Sequence, residues 1–332
     1  MTATAPAGLD LDRLAAHLAT TAPELAGGPL SATLIAGGRS NLTYRVHSGE
    51  RSFVLRRPPL GHVLATAHDM GREHRVISAL APTDVPVPHT LLLCADDSVL
   101  GAPFYLMEYV EGRVFREPAQ TEPLGDDGRR RLAYAMMDTL AALHAVDPAA
   151  VGLGDLGRPE GFLARQVKRW GAQLDQSRSR PLPEVDRLRD RLAATIPDGE
   201  GRATIVHGDY RLDNLMCDPE GTTVRAVLDW EMATLGDPLA DLGLLITYWD
   251  LVGWGAGFPP GDELVARYAQ RGGADVGSLD WHVALGCFKL AVIAEGIHYR
   301  HTLGQTVGEG FERFSTMAAP LGNHGLAALK EN

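Results

Sequence analysis

Near the start of the chain, Leu11, Leu14, Ala15 and Leu18 recur at helical spacing behind Asp10, which predicts a capped amphipathic helix. The period then shortens. SATLIAG, NLTYRVHSG and RSFVLRRPP read as strands, and the intervening Gly37-Gly38-Arg39-Ser40-Asn41 and Ser48-Gly49-Glu50 read as tight turns, so this part is an antiparallel meander. After the Pro58-Pro59 break, ATAHDMGREHRVISAL has a helical texture, and HTLLLCAD and APFYLMEYV return to the strand pattern. The order to that point is β-β-β-α-β-β. From Gly112 onward, RRRLAYAMMDTLAALHAV, PEVDRLRDRLAATI and WHVALGCFKLAVIAEGIHYRHTL carry apolar residues three and four apart, and only VRAVLDW and the flanks of IVHGDYRLDNLM look like strands. The pattern therefore predicts an α+β chain with a sheet-bearing region over 1–107, a short connector over 108–112 and a mainly helical region over 113–332.

Composition narrows the class. A chain of 332 residues, 45% hydrophobic and 22% charged, is long enough to bury a substantial core. Its 31 Lys and Arg against 42 Asp and Glu give a net charge of -11, which argues against nucleic acid or an anionic membrane as the main partner, and no obligate protein partner is evident. Cys94, Cys217 and Cys287 are odd in number and lack a CxxC spacing, so they read as reduced packing residues. The first residues show no basic leader, and no run reaches the roughly 20 apolar residues of a membrane helix. A cytoplasmic protein is expected.

The stretch IVHGDYRLDNLM sets polar side chains between apolar pairs. An aspartate five residues before an asparagine, on a loop pinned by apolar flanks, can aim a carboxylate at a substrate hydroxyl while the amide oxygen turns toward a metal ion. Asp229, at the end of the apolar run Val227-Leu228, offers a second carboxylate. Mg²⁺ takes oxygen ligands from one or two carboxylates plus substrate phosphates, and Asn214 with Asp229 would supply them. Any one of these residues alone could merely bond its own backbone in a turn. Together, HGDxxxxN followed by a strand ending in Asp matches the kinase order and points to phosphoryl transfer.

His207-Gly208-Asp209 with Asn214, followed by LDWEMATLGDPLADLG, closely resembles the aminoglycoside phosphotransferase and choline kinase-like group. GGRSNLTYRV, FVLRRPP, GREHRVISAL and FYLMEYVEG fall in the order that group shows, and FVLRRPPLGHVLATAHDMGREHRVI looks most like the kinase-like domains related to those fused to some acyl-CoA dehydrogenases. The resemblance implies a bilobal protein-kinase-like fold, with an N-terminal antiparallel sheet plus helix and a mainly helical C-terminal lobe. It implies ATP, with GTP as the alternative, and Mg²⁺. Asp209 would be the catalytic base, and Asn214 and Asp229 would hold the metal.

Gly37, Gly38, Ser40 and Asn41 would cover the phosphates, although two glycines alone more often make an ordinary hairpin turn. Met107, Glu108, Tyr109 and Val110 would meet the adenine edge with their backbone. Glu73 matches the helix glutamate that pairs with a strand lysine. His207 and Asp241 would support the loop, Asp237 would cap the following helix, and Arg211 could reach a phosphate or only form a salt bridge.

The main departure is Arg56, which stands where the phosphate-binding lysine is expected, with Arg57 beside it. Arginine keeps the charge but presents a planar fork instead of a point charge. The acceptor would be a small hydroxyl-bearing molecule. Trp249, Trp254 and Phe258 could line its pocket or belong to the core, and Glu295, His298, Tyr299, Arg300 and His301 could favour an anionic acceptor or form a solvated helix face. The resemblance to the kinase-like domains related to those fused to some acyl-CoA dehydrogenases implies a hydroxyacyl compound first, an aminoglycoside or choline-type amino alcohol second. A nucleotide-binding pseudokinase-like module is the reading from another class.

Overall fold

In the computed structural model, residues 6–35, 41–60, 69–197, 203–254, 257–273, 275–306 and 310–329 are described. In chain order the elements begin with α1 (Leu11–Thr21), β1 (Leu30–Leu34), β2 (Leu42–Ser48), β3 (Arg51–Arg57), α2 (Met70–Leu80), β4 (Thr90–Cys94), α3 (Asp97–Leu100) and β5 (Phe104–Glu108). They continue with α4 (Gly125–Ala145), α5 (Phe162–Ser177), α6 (Pro183–Ala194), β6 (Thr204–Val206), β7 (Leu215–Cys217), β8 (Val224–Val227), β9 (Thr234–Gly236), α7 (Leu239–Val252), α8 (Gly261–Gln270), α9 (Leu279–Thr302) and α10 (Ala318–Ala328). The chain divides into two compact units, the first made of 1–114, 215–219 and 224–233, the second of the remainder.

The first unit is built on an antiparallel sheet in the order β1-β2-β3-β5-β4. Period-two alternation buries Tyr44, Val46 and Ser48 of β2. Tyr44 and Val46 join Phe53, Leu55, Phe104 and Leu106 and the Leu14–Leu18 stripe of α1 in one core. Asp10 caps α1 as its sequence predicts, its Oδ1 accepting from the Arg13 amide at 3.0 Å. On α2 the buried stripe is Glu73, Val76, Ile77 and Leu80, so the helical period places a carboxylate among apolar residues.

Arg56 and Arg57 are neighbours on one strand and so face opposite sides of it. Arg57 is spent on structure, its Nη1 donating to the carbonyls of Leu100 (2.9 Å) and Gly8. The hairpin of β7 and β8 belongs to this unit as well, although the sequence places it in the C-terminal region. Backbone bonds explain the difference: Arg113 and Cys217 exchange both amide bonds at 2.8 Å, and the Val227 amide donates to the Pro86 carbonyl at 2.8 Å.

In the second unit α9 is the central helix, buried along most of its length between α5, α6, α7 and α10. α7 and α9 approach closely because Gly243 and Gly286 lack side chains. A Cβ on Gly243 would meet the His282 carbonyl carbon at 2.5 Å, and one on Gly286 the Thr247 hydroxyl at 2.6 Å. β6 and β9 pair antiparallel, Val206 opposite Thr234, and hold the ends of the segment that contains the HGD loop. α3 and β9 escape the sequence pattern because elements of four and three residues are too short to show a period. Among the described residues no helix is long and apolar enough to cross a membrane.

Candidate active site

The first unit gathers Arg56, Glu73 and Asp229. Nε of Arg56 donates to Glu73 Oε2 at 2.9 Å, Nη2 to Asp229 Oδ1 at 2.7 Å and Nη1 to the Thr43 hydroxyl at 3.3 Å. Glu73 is 1% exposed, so burial pushes its carboxyl up while the Arg56 charge pulls it back. Burial also works against the Arg56 charge, but Glu73, Tyr105 and Asp229 outweigh it and raise its pKa.

Asp229 is the one non-glycine residue among those described with positive φ, at 65°. Such a conformation costs of order 1–3 kcal/mol and persists where the surroundings over-determine it. Its side chain remains 32% exposed despite the Arg56 bond. Asn41 is buried and donates to Glu231 Oε2 at 3.2 Å. Gly37, Gly38 and Ser40 lie outside the described residues.

Met107 and Glu108 lie within β5, opposite Val54 and Phe53. The Glu108 amide is taken by the His89 carbonyl at 2.8 Å, so the backbone beyond the ladder is that of Tyr109 and Val110. The Arg45 guanidinium lies 3.8 Å from the centre of the Tyr109 ring, fixing that side chain against β2.

The second unit organises Asp209. Asn214 donates through Nδ2 to the Asp209 carbonyl at 2.8 Å and to Asp209 Oδ2 at 3.1 Å, which leaves Oδ1 of the amide as the atom a hard cation would take. The amide of His207 donates to Asp241 Oδ2 at 2.6 Å, that of Gly208 to Asp241 Oδ1 at 2.8 Å, and that of Asp209 to His207 Nδ1 at 3.2 Å. Gly208 has φ 84°, the left-handed conformation that a glycine adopts without strain.

Asp241 also meets His144 Nε2 at 3.3 Å, whose Nδ1 pairs with the Tyr268 hydroxyl at 2.8 Å. Burial alone would raise the Asp241 carboxyl, but the bond and charge of His144, with His207, bring it below the ordinary aspartate range. His144, Tyr268 and Lys289, whose Nζ donates to the Gly208 carbonyl at 2.5 Å, are the residues that sequence reasoning missed. Each sits within a helix whose period marks it as packing, and only the scarcity of lysine in an arginine-rich chain signals one of them.

The other candidates have structural partners. Arg211 pairs with Asp213 and lies over Tyr248, 4.6 Å from the ring centre. Asp237 Oδ1 accepts from the Leu239 amide at 2.9 Å at the start of α7, and Oδ2 meets His282 at 3.1 Å. Trp249, Trp254 and Phe258 pack on one another with ring centres 5.2–6.1 Å apart, the two tryptophans buried, so they form core. Glu295 is fully buried and accepts from the amide and hydroxyl of Ser179 and from Arg180, which removes it from any solvated or acceptor-facing run. The three cysteines are free and buried, with the Cys217 and Cys287 thiols pushed up to about 12 by burial.

Among the described residues no three His, Cys, Asp or Glu side chains gather as a metal cage. A magnesium ion held by few protein oxygens and by phosphates requires none, and the carboxylate of Asp229 and amide oxygen of Asn214 are hard donors of the right kind.

Residues 31–283 match the model of the phosphotransferase enzyme family. The chain is 35% identical over 324 residues to acyl-CoA dehydrogenase family member 11 of Gallus gallus, a match that covers 93% of this chain and 41% of that protein. It thus spans under half the length of that relative. A solved structure from Ralstonia eutropha JMP134, assigned provisionally to the aminoglycoside phosphotransferases, is 35% identical, with a TM-score of 0.86 and coverage of 97% of this chain and 98% of that one. The fold is shared with a thermostable mutant of aminoglycoside phosphotransferase APH(4)-Ia, 17% identical with a TM-score of 0.61 over 96% and 97% of the two chains, solved as a ternary complex with AMP-PNP and hygromycin B. With a family match over most of its length and a relative of this identity, the chain belongs to the phosphotransferase enzyme family, whose small-molecule kinases share its sheet-bearing and helical units.

Proposed function

We propose that the chain moves the γ-phosphoryl group of ATP to a hydroxyl of a small molecule, with Asp209 as the base. The observation that carries this reading is the loop itself: three backbone bonds, from His207, Gly208 and Asp209, and the amide of Asn214 converge to fix one half-exposed carboxylate. Fixing a carboxylate so firmly serves a reaction that depends on its direction. In the proposed step the acceptor hydroxyl gives its proton to Asp209, its oxygen bonds to the γ-phosphorus, and the bond to the β,γ-bridging oxygen breaks as ADP leaves.

Asn214 and Asp229 are the proposed magnesium ligands; the ion, when bound, would neutralise charge on the phosphates. Arg56, paired with Glu73, is the proposed substitute for the family's lysine, and Gly37, Gly38, Ser40 and Asn41 are the proposed phosphate cover. The backbone of Met107, Glu108, Tyr109 and Val110 is the proposed adenine contact, with the part beyond β5 the part not already paired. ATP use is supported by the AMP-PNP bound to APH(4)-Ia.

For the acceptor we infer a hydroxyacyl compound, because the relative from Gallus gallus is an acyl-CoA dehydrogenase family member and would handle acyl substrates. The run from Glu295 to His301 no longer adds to that inference, since Glu295 is committed to Ser179 and Arg180. The Ralstonia eutropha structure favours an aminoglycoside as the second reading.

The test is magnesium-dependent ATP consumption with a panel of hydroxy acids, hydroxyacyl thioesters, choline and aminoglycosides. Hydroxyacyl compounds are expected to gain phosphate, and Asp209→Ala to lower kcat by about 10²–10⁴-fold while nucleotide affinity holds. An active Asp209→Ala variant would remove the base assignment. Nucleotide binding with no phosphorylated product from a broad metabolite extract would overturn the transfer reading.

A further inference from the structure

The chain contains three lysines, Lys168, Lys289 and Lys330, among its 31 Lys and Arg. Lys168 is exposed, whereas Lys289 is 8% exposed in the middle of α9. Burying an ammonium is costly unless charge and hydrogen bonds compensate it. Its Nζ donates to the Gly208 carbonyl at 2.5 Å and stands 5.3 Å from the Trp170 ring centre.

That carbonyl belongs to the peptide joining Gly208 to Asp209. The same peptide donates its N–H to His207 Nδ1, and the preceding peptide donates the Gly208 N–H to Asp241. Lys289 therefore holds the oxygen end of the peptide that carries Asp209, while His207 holds its nitrogen end. Rotation of that plane would re-aim the carboxylate, since its orientation sets the direction in which the Asp209 side chain leaves the backbone.

We propose that Lys289 is the positioning residue of the Asp209 loop, its ammonium locking the Gly208–Asp209 peptide and offsetting the negative charge of Asp209 and Asp241. The kinetic consequence rests on the phosphotransfer reading above; the contact and its electrostatics do not. The charged groups facing Lys289 are Asp209 and Arg211 from the loop, Asp241 from α7 and Arg169 from α5. Burial depresses its pKa, Asp209 and Asp241 oppose that, and Arg169 and Arg211 add to it, so that the balance lies below the ordinary lysine value. An arginine at 289 would keep its charge at every accessible pH and give up this titration.

The experiment is a pH titration of protein labelled with ¹³C at lysine Cε, where three lysines give a sparse spectrum and Lys289→Arg assigns the signal. The Lys289 midpoint is expected below the ordinary lysine value of about 10.4, and Asp209→Asn is expected to lower it further by removing a negative neighbour. A Lys289 signal that titrates at the ordinary lysine value, or one indifferent to Asp209→Asn, overturns the proposal.

With a phosphorylated acceptor in hand, Lys289→Met should lower kcat by about 10²-fold with the KM for ATP unchanged, as a misdirected base would. Lys289→Arg should recover part of kcat and flatten the alkaline limb of its pH profile. Equal losses in the Arg and Met variants, or a KM effect alone, count against positioning. Should Lys289→Met fail to fold, the titration and Lys289→Arg still decide. Should no acceptor be phosphorylated by the unmodified protein, the function reading falls and the titration judges Lys289 separately.

Discussion

Arg56 donates to Asp229 across 2.7 Å while the same guanidinium holds Glu73 at 2.9 Å. A single cation thus joins the buried carboxylate of α2 to a carboxylate proposed as a metal ligand. The planar fork makes both contacts through separate nitrogens, which a lysine ammonium can do only by drawing both carboxylates onto one atom.

Arg56→Met is expected to strand Glu73 without its counter-charge. Leaving one partner of a buried ion pair alone costs about 3–5 kcal/mol. Urea unfolding followed by fluorescence would measure it, and a loss under about 1 kcal/mol would mean that Glu73 has another source of compensation.

Asp229→Asn tests the metal role with little disturbance to the backbone, because asparagine also tolerates the left-handed region that Asp229 occupies at φ 65°. The variant should fold, with its melting temperature displaced by only a few degrees for a change of about 1 kcal/mol. Nucleotide binding, followed by calorimetry with and without magnesium, should lose its magnesium dependence. A dependence equal to that of the unmodified protein would shift the ligand role elsewhere.

The Asp241 carboxyl lies below its ordinary range in the folded protein, so the folded state binds fewer protons than the unfolded one in the acid region. Its contribution to stability is therefore present above the unfolded value, about 3.9, and is lost as pH falls through the folded value. Asp241→Asn should flatten the acid side of the stability profile and cost about 1.5–3 kcal/mol at neutral pH, because a neutral side chain with one acceptor oxygen replaces the carboxylate whose two oxygens accept from the His207 and Gly208 amides. Denaturation midpoints collected between roughly pH 3 and 7 would show it, and an unaltered acid slope would contradict the bracing role.

Because Trp249 is packed on Phe258 and donates its indole N–H to the Pro259 carbonyl at 3.0 Å, its removal should act on stability. Trp249→Ala is expected to cost about 3–5 kcal/mol. Trp249→Phe should fold and leave the acceptor preference intact. A changed ranking of acceptors in that variant would return this residue to the substrate pocket.

The strands of the first sheet were legible because each is a short apolar-rich run bounded by a break in the pattern, alternating in β2 and continuous in β3 and β5. The HGD loop was legible by its spacing, since Asp209 and Asn214 are close in sequence. Glu73 and Asp241 were expected only through the resemblance, and the distant partners that no motif marks stayed hidden. Nothing around Lys289 or His144 marks them as neighbours of Asp209 and Asp241, because a helical period reports only which face is buried, not what lies beneath it. Glu295 misled for the same reason: a charge within a run of polar residues looks solvated until the helix places it against Ser179 and Arg180.

The first compact unit is not a contiguous stretch. It closes only when 215–219 and 224–233 have joined the first 114 residues. During synthesis, about a hundred residues of the second unit must leave the ribosome before the strand pair β7–β8, with Asp229 just beyond it, can meet Arg113 and Pro86. A nascent chain halted shortly after Val114 would carry Arg56 and Glu73 without the second acid that Arg56 holds, and cleavage after Val114 would release an incomplete sheet-bearing fragment.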